Sequence, residues 1–78
     1  LRNGTGAMMM PISVLSVGEE SVIKRIGGSP EVRQHLEDLG FVVGVKVSIV
    51  SKLADNFIVN VKGSRIAIDG SLAKDIFV

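Results

Sequence analysis

The sequence predicts a mainly β domain with one or two short helices, closed into a small barrel. Three observations carry this. Val and Ile supply much of a 46% hydrophobic share while aromatics make up only 4%, a balance that favours strands. Short apolar runs recur at close spacing between turn signals. A hairpin signal, Lys62-Gly63-Ser64-Arg65, separates two runs of β-branched residues. Closure is expected because a small open sheet would leave strand edges unpaired.

The elements can be justified in order. Leu1–Ala7 carries Gly, Asn and Thr with no apolar period, and reads as a cloning remnant or flexible tail ahead of a domain at 8–78. Met9–Leu15 contains Pro11, which lacks an N–H, so it is an edge strand or an entry segment. Ser16–Glu20 reads as a turn, Ser21–Ile26 as one strand of imperfect alternation, and Gly27-Gly28 as its end. A helix follows. Ser29 caps it, Pro30 suits its first position, and Glu31 complements the dipole. Val32, Leu36 and Leu39 form its apolar stripe, Gly40 ends it, and Phe41 is placed to pack back on its last turn.

The remaining strands allow register to be argued. A two-residue turn at Gly63-Ser64 pairs Lys62 with Arg65, Val61 with Ile66 and Val59 with Ile68, leaving the four apolar residues on one face. Before it, a three-residue loop Ala54-Asp55-Asn56 sets Leu53 against Phe57 and Ile49 against Val61. After Asp69-Gly70, Ser71–Lys74 forms one helical turn, and Asp75–Val78 is a closing strand.

Composition excludes several function classes. At 78 residues there is room for one domain and one small core. Its net charge is +1, and without Arg2 it is neutral, which makes it a poor nucleic-acid binder. No cysteine is present, so disulfides, thiolate metal sites and Cys nucleophiles are all excluded. A domain this small without disulfides fits a reducing cytoplasm. No apolar stretch is long enough to span a bilayer, and no basic-then-apolar leader suggests export.

At Leu36-Glu37-Asp38-Leu39-Gly40-Phe41-Val42-Val43-Gly44-Val45-Lys46-Val47 the sequence resembles the L-x-x-L-G-x-x-x-G-x-x-V signature of FeoA proteins. Ala67-Ile68, Ala73 and Ile76 are similar to that family's closing A-I-x-x-x-x-A-x-x-I, and Gly18-Glu19 and Ile26 fit its opening strands. Each motif is modest alone; in order they are fairly specific, and they cover Pro11 to Val78. The resemblance implies an SH3-like barrel with an inserted helix, and a cytoplasmic partner of FeoB, the GTP-dependent ferrous-iron permease. No cofactor is expected. There are departures: Val43 replaces a common proline, Asp69 a common basic residue, and the meander hairpin is short.

The candidates for chemistry are few. His35, the single histidine, shares a helix face with Glu31 and Asp38, which could make a weak Zn²⁺ or Fe²⁺ site. Three ligands fall short of a structural metal site, so an exposed histidine among helix charges is the favoured account. Glu19-Glu20 and Glu37-Asp38 are adjacent pairs that do not converge as general acid–base work requires. Gly27-Gly28-Ser29-Pro30 lacks the Gly-Lys-Ser/Thr ending of a phosphate loop. The chain therefore reads as a non-enzyme. Lys62 and Arg65 would form a basic knuckle facing an acidic partner or anionic lipid, although splaying into water is the plainer account. Val42 and Val43 are partner candidates in an apolar run too long to face wholly inward.

The reading is an accessory protein of ferrous iron uptake that docks on the permease, with Val42, Val43, Lys62 and Arg65 as contact residues; this function rests on the resemblance. Weak self-association is left open. The alternatives are the terminal SH3-like domain of a DtxR-type metal-dependent repressor, and a small direct metal carrier whose binding would depend on His35.

Overall fold

A computed structural model describes residues 9–78. The expected tail over residues 1–7 lies outside the described residues, as does residue 8. A 3-10 turn at Ile12–Val14 leads into β1 (Glu20–Val22), β2 (Arg25–Ile26), α1 (Pro30–Asp38), β3 (Lys46–Leu53), β4 (Asn56–Val61), β5 (Ser64–Asp69), α2 (Gly70–Ala73) and β6 (Ile76–Phe77). β1, β3, β4 and β5 form an antiparallel sheet in the order β1-β3-β4-β5, and β2 pairs with β6 in a second, two-stranded sheet. One apolar cluster draws on both sheets and on α1; Ile12, Ile23, Leu36, Phe41, Val59 and Ile76 are at its fully buried centre. The mainly β barrel expected from the sequence is present.

The entry segment is not a strand. Pro11 makes a single antiparallel bridge to Phe77, and Ile12–Val14 then coils. Without an N–H, Pro11 cannot extend a ladder. Just before it the chain is tied to its far end: Met10 N–H donates to the Val78 carbonyl at 3.0 Å, and Val78 N–H donates back to the Met10 carbonyl at 2.8 Å.

The expected strand at 21–26 is two strands in two sheets. β1 pairs with β3, β2 with β6, and the switch falls at Ile23-Lys24. Ile23 is buried, with Val22 and Lys24 exposed on either side. The imperfect alternation of this segment is the trace of that switch, because each short strand keeps its own inward face.

The helix keeps its expected limits. Ser29 Oγ accepts from the Val32 N–H at 3.2 Å, and Pro30 occupies the first turn. At the other end Gly40, with φ +106°, donates to the Glu37 carbonyl, and Phe41 N–H donates to the Leu36 carbonyl, each at 2.9 Å. That pair of bonds is the Schellman arrangement, with Leu36 and Phe41 both buried beneath it. Val32 and Leu39 pack on the core from the same side.

Both hairpin registers differ from expectation. Val61 faces Ser64, Asn60 faces Arg65 and Val59 faces Ile66, so the turn residues are Lys62 and Gly63. Their φ values, +51° and +80°, are those of a type I′ turn, whose twist suits the right-handed strands. The pairing shifts by two, which preserves parity: Val59, Val61 and Ile68 are buried and Ile66 packs partly buried against the same core. Lys62 and Arg65 therefore do not oppose each other. At the other hairpin Leu53 faces Asn56 across a two-residue Ala54-Asp55 turn. Carried on without a break, this register would set Ile49 against Asn60. An irregularity between Ile49 and Ser51 instead sets Ile49 against Val59 and Val47 against Val61. The core face is restored by a bulge at Val50 rather than by a longer loop. At the hairpin tip Leu53 points into solvent, 75% exposed.

Candidate functional site

The loop after α1 determines where the exposed side chains gather. Gly40 and Gly44 take positive φ, and Val42–Val45, which includes Gly44, forms a turn closed by the Val45 N–H to the Val42 carbonyl at 3.2 Å. This turn is fastened to the junction of the two sheets. Gly44 N–H donates to the Ile23 carbonyl at 2.8 Å, and Ile23 N–H donates to the Val45 carbonyl at 3.0 Å. Val43 is thereby held beside the start of β2, 63% exposed.

α1 presents three faces. Val32, Leu36 and Leu39 face the core. Glu31, His35 and Asp38, all exposed, lie along a second. Pro30, Arg33, Gln34 and Glu37, spaced i, i+3, i+4 and i+7, make the third, and this one borders a groove of about 540 Å³. Lys24, Arg25 and Ile26 line the opposite wall, and Val43 completes it.

The groove is cationic. Lys24, Arg25 and Arg33 line it against one carboxylate, Glu37. Arg25 is opposite Phe77 in the β2–β6 pair, and its guanidinium lies over that ring at 5.5 Å from the centroid. Such a contact steadies a long side chain while leaving its N–H groups free to donate. The Lys24 N–H donates to the Phe77 carbonyl at 2.8 Å, which fixes Lys24 at the entry to β2, next to Arg25.

A second depression, about 200 Å³, is on the outer face of the larger sheet and is lined by Glu20, Lys46, Ser48, Asn60 and Lys62. Asn60 Oδ1 is buried there without a hydrogen-bond partner. The four contact residues expected from the sequence are thus divided. Val43 borders the basic groove, Lys62 borders the second depression, Arg65 is exposed on β5 opposite Asn60, and Val42 is half-buried. Among the described residues no group of three His, Cys, Asp or Glu side chains is arranged to hold a metal ion, Glu31, His35 and Asp38 included. Asp38 Oδ1 instead accepts from the Gln34 amide at 2.9 Å. No helix of the described residues is long and apolar enough to cross a membrane.

Lys24, Arg25 and Arg33 were not singled out from the sequence. The polar i, i+3, i+4, i+7 stripe from Pro30 to Glu37 was the available signal. It carried no meaning without knowing that β2 runs beside it.

Comparison with known proteins gives a consistent result. The FeoA domain model matches residues 10–78. A Methanocaldococcus jannaschii protein named "Putative Fe(2+) transport protein A" is 33% identical over 70 residues, covering 90% of this chain and 85% of that one. A crystal structure of an iron uptake regulatory protein (FeoA) superposes with a TM-score of 0.84 at 28% identity, covering 91% of this chain and 96% of the other. FeoA of Stenotrophomonas maltophilia, solved with zinc and described as a procaryotic SH3 domain protein, superposes with a TM-score of 0.73 at 28% identity, covering 90% and 87%. A manganese-dependent transcriptional repressor shares the fold alone: TM-score 0.84, 15% identity, 90% of this chain but 35% of that one.

Proposed function

This chain belongs to the FeoA family, with an SH3-like barrel, and from that premise we propose that it is an accessory protein of ferrous iron uptake, working at the cytoplasmic face by binding a FeoB-type GTP-dependent permease. One observation carries the reading: the family match runs through the whole described domain, and the M. jannaschii relative it resembles, of nearly the same extent, is named for Fe²⁺ transport. The groove adds physical support, since it gathers exposed charge on a rigid base, as a docking surface requires. The chain contributes contacts rather than chemistry: its histidine and all its carboxylates but the half-buried Asp75 are distributed along exposed faces. The repressor-domain alternative rests on fold likeness at 15% identity, whereas the transport reading has the family model and a 33% identical relative behind it.

Co-purification with a FeoB-type permease, with and without guanine nucleotide, tests this. Retention of the permease by this chain above a bead control is expected. Equal recovery on beads alone in both nucleotide conditions would remove the proposal.

A further inference from the structure

We propose that the groove between β2 and α1 is a binding site for an extended acidic segment of a partner protein, with an apolar side chain of that segment seated on Val43. The proposal rests on the reading of this chain as a contact protein, and it specifies the chemistry of the contact.

Charge distribution is the first argument. Residues 9–78 carry eight Lys and Arg side chains and eight Asp and Glu, so the domain is neutral as a whole. Three of those cations line one groove with a single carboxylate. A local excess of one sign on a neutral body produces a directional field that favours a complementary surface and orients it on approach.

The donors are also suited to carboxylates. Arg25 and Arg33 face the groove from opposite walls, and guanidinium groups pair with carboxylates through two parallel bonds. The Phe77 ring under Arg25 and the helical backbone under Arg33 reduce the freedom lost when a ligand arrives.

The choice of a peptide over a bare anion follows from the rest of the lining. Val43 and Pro30 both line the groove and are exposed, and neither contributes to holding a phosphate. Glu37 disfavours a dense polyanion but can accept a backbone N–H. A nucleic-acid strand would need excess positive charge over a longer track than a neutral domain offers. At about 540 Å³ the groove has the capacity of a small-ligand site, about 300–1,000 Å³, which is room for individual side chains of such a segment.

The test is an amide NMR titration of the ¹⁵N-labelled chain with a synthetic peptide in which Leu is flanked on each side by Glu and Asp. Saturable shifts at residues 24–26, 33–37 and 43 are expected, with affinity falling about tenfold from low to high salt. The double variant Lys24→Glu, Arg33→Glu should lose about tenfold or more in affinity. Val43→Ser should lose several-fold, and Lys62→Glu should change nothing. All the substituted side chains are exposed, and unaltered amide dispersion checks that the fold is kept. Shifts confined to the Lys46–Lys62 face, an unaffected double variant, or identical shifts with inorganic phosphate would each overturn the proposal. Capture of the permease separates the two readings. If the double variant retains permease as well as the parent chain, the groove assignment fails and the accessory reading stands. Peptide binding in the groove with no permease captured supports the groove and removes the permease.

Discussion

The Asp69 carboxylate stands at the head of α2, where Oδ1 accepts from the Leu72 N–H at 3.1 Å and from the Ser71 hydroxyl at 2.7 Å. Both bonds favour the ionised form, the Ser71 contact most strongly, so its pKa lies below the ordinary aspartate value. The direction fixes the pH dependence. The cap is fully effective above the unfolded-state pKa and is lost as the pH falls through the lower, folded-state value. Asp69→Ala is therefore expected to lower the Tm by a few degrees near neutral pH. The gap between variant and parent should narrow as thermal melts are repeated at increasingly acidic pH. A gap that widened in acid would contradict this account. Gly28 shows a different constraint: its φ of +86° is one that L side chains rarely adopt, and an added Cβ, 2.9 Å from the Asp75 carboxylate and 3.1 Å from Val32, would also push those two side chains aside where β2 turns into α1.

Strain is concentrated in the two hairpin turns. Lys62 at φ +51° and Ala54 at φ +53° occupy backbone regions that favour Gly or Asn. Lys62→Asn is expected to stabilise the β4–β5 hairpin by about 0.5 kcal/mol, read as a higher urea midpoint at an unchanged slope. Ala54→Gly should act in the same direction at β3–β4. These two residues also explain what was legible at this scale. α1 could be read to within a residue because Ser29, Pro30 and Gly40 mark its ends by local chemistry. The registers could not, because Lys62 and Ala54 carry no turn signal of their own and because the bulge at Val50 leaves the alternation looking as a longer loop would. The apolar face was recovered nonetheless, since a shift of two preserves which side chains point inward.

At the scale of the molecule, the barrel and its family were legible, whereas the basic groove was not. Lys24 and Arg25 reach α1 only because the chain leaves one sheet after Val22 and enters the other at Arg25. Val43 joins them only through the bonds that fasten the 42–45 turn to Ile23. Both are long-range arrangements with no local residue signature. The same crossing serves the core: Ile23 at the junction is buried in the one cluster that both sheets share.

The paired bonds between Met10 and Val78 bring the two ends of the described chain side by side, running in opposite directions. The domain is thus nearly a ring, interrupted at one point. A short Gly-Ser bridge across that point, with new ends opened between Ala54 and Asp55 at the exposed β3–β4 tip, should give a circular permutant with the parent's amide spectrum and a Tm within several degrees of it. A label or carrier attached at Met9 or at Val78 would leave the described domain from the same spot, so one immobilisation geometry presents every other face to solution.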